Sequence, residues 1–121
     1  MILRAKGIVA DTLTLKSNGN EALKIAYRFN ADLHWSEIMK IRLDLAKEME
    51  KKHPDYEYIG KKVIEMFNLV FGEDCTKQMI DFFENSLESL ITNISPVYQY
   101  KIYPACEAAR KRAIKARKRA K

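Results

Sequence analysis

Alternating apolar and polar residues near the N-terminus predict a β-hairpin over residues 11–29. Its apolar positions are Leu13, Leu15, Leu23, Ile25, Tyr27 and Phe29. A two-residue Asn18-Gly19 turn would pair Leu15 with Ala22, whereas a three-residue loop, 18–20, pairs Leu15 with Leu23. Only the second register puts all the large apolar side chains on one face, so we predict the three-residue loop. Asn20 would then take left-handed backbone geometry.

The apolar period changes to that of a helix after the hairpin. Asn30 or Asp32 is a suitable N-cap for a first helix running to about Lys52, where His53-Pro54 ends it. Its predicted buried stripe is Trp35, Ile38, Ile41, Leu45 and Met49. Asp55 caps a second helix, which Gly72 stops in the left-handed C′ position. Its buried stripe is Ile59, Val63, Met66, Phe67 and Val70.

A short third helix begins at Glu73, where acidic side chains suit the helix dipole. Its predicted buried residues are Cys75, Met79, Phe82 and Phe83. Asn85 and Glu88 resemble a capping box for a last helical region. Pro96 and Pro104 lie inside that region, and each removes a helical hydrogen bond, so we expect a kink or break near Ser95 and near Tyr103.

These elements predict a mainly α protein: a bundle of about four helices with a short N-terminal β-hairpin and a kinked C-terminal helix. The 121 residues are 47% hydrophobic and 31% charged, which is typical of a single globular domain. We assign residues 1–106 to that domain and residues 107–121 to a basic helical tail. The tail contains one large apolar residue, Ile114. We therefore expect removal of residues 107–121 to change the free energy of unfolding by no more than about 1 kcal/mol.

The net charge of +6 is concentrated in this tail. Residues 107–121 contain eight Lys or Arg against Glu107 alone, a net of +7, while the first 106 residues carry 14 basic and 15 acidic side chains, a net of −1. Three interpretations stay open: a solvated helix end, docking onto an acidic protein surface, or nucleic-acid binding through phosphate contacts. No aromatic residue follows Tyr103, so the tail has no side chain on which a nucleic-acid base could stack. Nucleic acid is therefore the least favoured of the three interpretations.

No pattern of catalytic or metal-binding residues emerges from the chain. His34 and His53 are isolated, and Cys75 and Cys106 have no paired spacing. We therefore predict a protein-binding protein without enzymatic activity, cofactor or metal. No apolar run is long enough for a membrane span, and no signal peptide is evident, so we expect a cytoplasmic protein.

The best candidates for partner contacts lie near the C-terminus, because tyrosine suits half-buried interfaces and the basic residues suit acidic partners. They are Tyr98, Tyr100, Tyr103, Arg110, Lys111, Arg112, Arg117 and Arg119.

Several short phrases, in this order, resemble the tail assembly chaperones of long-tailed bacteriophages of Gram-positive hosts. The phrases are Ile25-Ala-Tyr-Arg-Phe-Asn30, Val70-Phe-Gly-Glu-Asp74, Phe82-Phe-Glu-Asn85, Leu87-Glu-Ser-Leu90 and Ile94-Ser-Pro96, followed by an Ala/Lys/Arg-rich end. The resemblance covers roughly residues 22–121.

The resemblance implies a small helical protein of phage or prophage origin that is made in the host cytoplasm and is absent from the mature virion. Its partners would be the tape measure protein, which it keeps soluble, and the tail tube protein, which polymerises around the tape measure. It also implies self-association into a homo-oligomer. The alternatives from the residues alone are a small nucleic-acid-binding protein and a structural component of the head-tail junction.

Overall fold

The computed structural model describes residues 7–16 and 22–119. Strands β1 (Ile8–Lys16) and β2 (Ala22–Asn30) pair antiparallel, with Leu13 opposite Ile25 and Leu15 opposite Leu23. The register that brings the large apolar residues to one face is therefore confirmed. The loop 18–20 and the geometry of Asn20 lie outside the described residues.

The hairpin is longer than its apolar pattern predicted, and it continues directly into the first helix. The amide of Ala31 donates to the carbonyl of Gly7 (2.7 Å), which closes the end of the hairpin where α1 begins. Ile25 and Phe29 are fully buried, so the apolar face of β2 is covered by the helices. A two-stranded sheet needs such cover to be stable.

Helix α1 (Ala31–Met49) begins as predicted, because the Asn30 side chain accepts a hydrogen bond from the Leu33 amide (3.2 Å). It ends at Met49, before Pro54, and the prediction that Met49 is buried is wrong, since Met49 is 59% exposed. Glu48, seven residues after the buried Ile41, occupies the inward position instead.

The Glu48 carboxylate accepts from Lys51 Nζ (3.0 Å) and from the Asp55 amide (3.2 Å). It thereby ties the end of α1 to the start of α2 (Tyr56–Phe71). Asp55 is the N-cap of α2, accepting from the Tyr58 amide (3.2 Å), as the sequence predicted.

Gly72 ends α2 at φ +85° and ψ 158°, so the predicted positive φ is confirmed, although the ψ value is extended rather than helical. Helix α3 (Glu73–Phe82) follows at once, and the Thr76 hydroxyl donates to the Gly72 carbonyl (2.8 Å). Met79 and Thr76 are buried in α3, whereas Cys75, Phe82 and Phe83 are half-buried.

Helix α4 (Leu87–Val97) is capped by Ser86, whose hydroxyl accepts from the Ser89 amide (3.2 Å). The predicted capping box of Asn85 with Glu88 is wrong. Asn85 takes left-handed geometry (φ 63°) in the turn before α4, and an N-cap needs the extended geometry that Ser86 has.

Helix α4 runs through Pro96, so there is no break near Ser95, where the sequence predicted a kink or a break. Thr92 and Pro96 are both exposed, so water can satisfy the carbonyl that the proline leaves without a partner. The second interruption is present as a π-turn, Tyr98–Ile102, in which the Tyr103 amide bonds to the Tyr98 carbonyl. The wider turn makes room for the ring of Pro104.

Helix α5 (Tyr103–Arg119) packs along α1, with Cys106 and Ala109 buried between them. The predicted architecture, a mainly α bundle with an N-terminal hairpin and an irregular C-terminal helix, is confirmed. Helix α5 crosses the proposed boundary between residues 106 and 107 without interruption. The first turns of the predicted tail are therefore packed against the body.

One apolar cluster joins the hairpin to all of the helices. Its largest fully buried side chains are Phe29, Ile25, Ile38, Met79, Leu90, Ile94, Ile102 and Cys106. Helices α2 and α4 meet closely at Gly60, where an added Cβ would lie 3.0 Å from Leu87 Cδ2.

Candidate partner-binding surfaces

An apolar groove of about 160 Å³ opens between α1, α2 and α4. Its lining residues are Arg42, Leu45, Val63, Met66, Phe67, Ile91, Ile94, Ser95 and Tyr98. Val63, Met66, Phe67 and Ile94 are buried and form its floor, whereas Arg42 and Ser95 are exposed and form its rim.

Helical spacing explains how α4 lines this groove. Ile91, Ile94, Ser95 and Tyr98 occur at i, i+3, i+4 and i+7, so they share one face of the helix. Ser95 is the small member of this stripe. A larger apolar side chain there would close the space that the groove leaves open.

Tyr98 belongs to the interior of the groove and not to an exposed surface. Its hydroxyl is buried without a hydrogen-bond partner among the described residues. Burial raises the pKa of Tyr98 to about 12, although the nearby Arg42 guanidinium acts in the opposite direction. The ring also lines a smaller void beneath the groove, together with Phe71 and Ile102.

The other two candidate tyrosines lie in different environments. Tyr103 is half-buried, its ring 6.0 Å from that of Tyr98, and the Arg42 guanidinium lies 4.6 Å from the Tyr103 ring centroid. Tyr100 is 76% exposed and does not line the groove. The structure therefore brings Tyr98 and Tyr103 together through Arg42, a residue that sequence reasoning missed because nothing in the local pattern separates it from a solvated arginine.

Two of the five candidate basic residues make ion pairs within the chain. Arg112 donates from Nη2 (2.7 Å) and Nε (3.2 Å) to Asp32 Oδ1, linking α5 to the first turn of α1. Arg110 lies 3.4 Å from the Glu107 carboxylate. The Arg112–Asp32 pair joins α5 to α1, whereas the Arg110–Glu107 pair lies within α5; both reduce the positive charge that the two arginines offer to a partner.

The remaining candidates, Lys111, Arg117 and Arg119, are exposed and make no ion pair within residues 7–16 and 22–119. A shallow hollow of about 370 Å³ lies on this part of α5. It is lined by Lys111, Arg112, Ile114, Lys115 and Lys118. The basic end of α5 thus forms a second surface, which we call the basic stripe and define as Lys111, Ile114, Lys115 and Lys118.

The groove and the basic stripe lie toward opposite ends of the α1–α5 pair. Tyr103 is close to Arg42, and Arg112 is close to Asp32, so the two helices run antiparallel. At 1.5 Å per residue, Lys111, the first residue of the stripe, lies about 12 Å along the helix axis from Tyr103, and Lys118 lies about 22 Å from it. One ligand side chain cannot contact both surfaces.

The shifted pKa values of Asp11 and Cys106, which lie outside the groove, follow from local contacts and from burial. The Thr12 amide and Lys101, whose Nζ lies 3.1 Å from Asp11 Oδ2, lower the pKa of Asp11. Burial raises the pKa of Cys106 to about 12. Across the described ranges, no group of three or more His, Cys, Asp or Glu is placed to hold a metal ion.

None of the helices in the described part of the chain combines the length and apolar character that a membrane crossing needs. Comparison of the chain with models of known protein families, with curated proteins and with solved structures finds no match. The function of the chain is therefore inferred from its two surfaces and from the short phrases of its sequence.

Proposed function

We propose that this protein is an assembly chaperone that holds an apolar helical segment of a partner protein in the groove between α1, α2 and α4. The groove itself carries this proposal, because its lining is apolar or aromatic apart from Arg42 and Ser95 at the rim. Covering such a surface with a partner's apolar side chains is favourable for both proteins. Binding would lower the free concentration of an aggregation-prone partner by mass action.

The size of the groove favours side chains of a protein over a small-molecule ligand. At about 160 Å³ it is smaller than the ~300–1,000 Å³ of typical ligand and cofactor pockets. It is suited to the one or two anchor residues that an amphipathic helix presents on one face. Arg42 at the rim, held against Tyr103, favours an acidic residue beside the partner's apolar anchors.

The resemblance to tail assembly chaperones suggests which partner this is. We propose the tape measure protein, kept soluble in the host cytoplasm while the tail tube protein polymerises around it, with the chaperone absent from the mature virion. We also propose that the chaperone self-associates, which light scattering of the purified protein would measure directly.

Filling the groove tests this function. Ser95→Trp places an indole at the rim of the groove, and Asn93→Trp places the same group on another face of α4, where Asn93 is exposed. Each variant is co-expressed with the tape measure protein that we propose as its partner, and the soluble fraction of that protein is measured. We expect Ser95→Trp to lose the solubilising effect and Asn93→Trp to retain it.

Circular dichroism and thermal melting of both variants establish that each is folded before the comparison is made. If folded Ser95→Trp keeps its partner as soluble as the wild type does, the groove is not the chaperone site.

A further inference from the structure

The last turns of α5 extend past the body of the protein. Arg112 is paired with Asp32, the second residue of α1, so the residues after Arg112 have passed the beginning of that helix. Residues 113–119 are all exposed and remain helical, a length of about 10 Å. This segment therefore presents its side chains to solvent or to another molecule.

The basic stripe faces away from α1. Lys111, Ile114, Lys115 and Lys118 occur at i, i+3, i+4 and i+7, the spacing of one helix face. Counting 100° per residue from Cys106, this face lies on the opposite side of α5 from the buried Cys106 and Ala109. Ile114 is 40% exposed and lines the hollow together with the lysines.

The charges of the stripe are unmatched within the described part of the chain. Its three lysines make no ion pair there, whereas the neighbouring Arg112 and Arg110 are paired with Asp32 and Glu107. Ile114 and the three lysines line the hollow, so the apolar lysine stems can lie beside Ile114 while the ammonium groups stay in solvent.

We propose that the basic stripe binds an acidic amphipathic helix of a partner protein. Such a helix supplies carboxylates at the spacing of the lysines and an apolar side chain to cover Ile114, so both charge and shape are complementary. This proposal does not depend on the groove, which lies toward the other end of α5.

The composition of the stripe favours this partner over nucleic acid. Phosphate has no apolar group to cover Ile114, and the part of α5 after Tyr103 has no aromatic side chain on which a base can stack.

The attachment of α5 to α1 also prepares the stripe for binding. The burial of Cys106 and Ala109, together with two hydrogen bonds from Arg112 to Asp32, fixes the part of α5 in which the stripe begins. A helix that is already formed and oriented loses less conformational entropy when its partner binds.

The test measures binding of a fluorescein-labelled peptide of three heptads, with leucine at the a and d positions and glutamate at e and g. The binding variant changes Lys111, Lys115 and Lys118 to Glu. The control variant changes Lys24, Lys40 and Lys77 to Glu, which alters the net charge equally at exposed positions on other elements. We expect fluorescence anisotropy to show at least a tenfold loss of affinity for the first variant and less than a twofold change for the control.

Ile114→Ala separates a protein partner from a polyanion. We expect it to weaken the peptide about threefold and to leave the weak, salt-sensitive binding of a 20-base-pair DNA duplex unchanged. Equal losses in the two triple variants would overturn the proposal, since they would show only a net-charge effect. Binding of DNA, or of phosphatidylserine vesicles, that is tighter than peptide binding at physiological salt would also overturn it.

Peptide binding by Ser95→Trp distinguishes failure of the stripe proposal from failure of the groove proposal. We expect this variant to bind the acidic peptide as the wild type does, so loss of chaperone activity and loss of peptide binding can be observed separately.

Discussion

Shortening α5 at two positions tests how much of this helix belongs to the folded body. One chain ends at Arg112 and loses only residues that are exposed or lie beyond the described part; the other ends at Cys106 and also loses Ala109 and Arg112. Ala109 is buried where α5 packs on α1, with 2% of its surface exposed, and Arg112 pairs with Asp32. The two truncations therefore differ in contacts that the structure shows directly.

The expected magnitudes follow from those contacts. Burial of the Ala109 methyl group contributes about 0.8 kcal/mol. The Arg112–Asp32 pair is partly exposed, with side-chain exposures of 35% and 44%, and such pairs contribute about 0.2–1 kcal/mol. Fraying at the new terminus would expose part of Cys106 and add about 1 kcal/mol. We expect a loss of about 2–3 kcal/mol for the chain ending at Cys106 and less than about 0.5 kcal/mol for the chain ending at Arg112.

Urea unfolding followed by circular dichroism at 222 nm measures both values against the full chain. A loss of more than 2 kcal/mol on removal of residues 113–121 alone would show that the end of α5 is packed and not solvated. An unchanged stability for the chain ending at Cys106 would refute the packing of Ala109 and Arg112 and would support the sequence-based expectation of a dispensable tail.

Three further substitutions probe other contacts. Gly72→Ala should cost about 1–3 kcal/mol in thermal unfolding because of the positive φ of 85° alone, since no atom lies within 4 Å of the added Cβ. Glu48→Ala should cost about 1–3 kcal/mol because the Asp55 amide loses its acceptor, and Glu48→Gln should recover part of this. Burial raises the pKa of Cys106 from 9.0 to about 12, so the thiol ionises first in the unfolded chain. The stability that the protonated Cys106 thiol contributes is complete below about pH 9 and is lost as the pH rises toward 12. Urea unfolding should show about 1 kcal/mol less stability at pH 10 than at pH 7, and Cys106→Ala should remove most of that difference; the remainder comes from Tyr98, whose pKa is also raised by burial.

Features that depend on neighbouring residues were predictable from the sequence. Asn30 and Asp55 cap the helices that follow them because a short polar side chain can reach an amide three residues later. The hairpin register follows from the pairing of Leu15 with Leu23, since a slip by one residue would expose the apolar face.

Features that depend on tertiary packing were not predictable in this way. Glu48 is buried where Met49 was expected because the path of α1 across α2 decides which side chain points inward. Asp32 and Arg112 are 80 residues apart, and nothing local in either segment indicates the pair. The groove exists because neighbouring helices leave a space beside Ser95, and one sequence pattern cannot reveal a space between three helices.

The π-turn determines how the groove and the basic stripe are arranged. A π-turn adds one residue to a helical turn, which rotates every later residue by about 100° relative to a regular α-helix. Tyr98 can therefore face the groove while Cys106 and Ala109 face α1 on the same continuous helical region. If residues 98–103 formed a regular α-helix, Cys106 and Ala109 would be rotated by about 100° away from α1. The irregularity that Pro104 favours thus lets one continuous helical region direct Tyr98 into the groove and still pack α5 against α1.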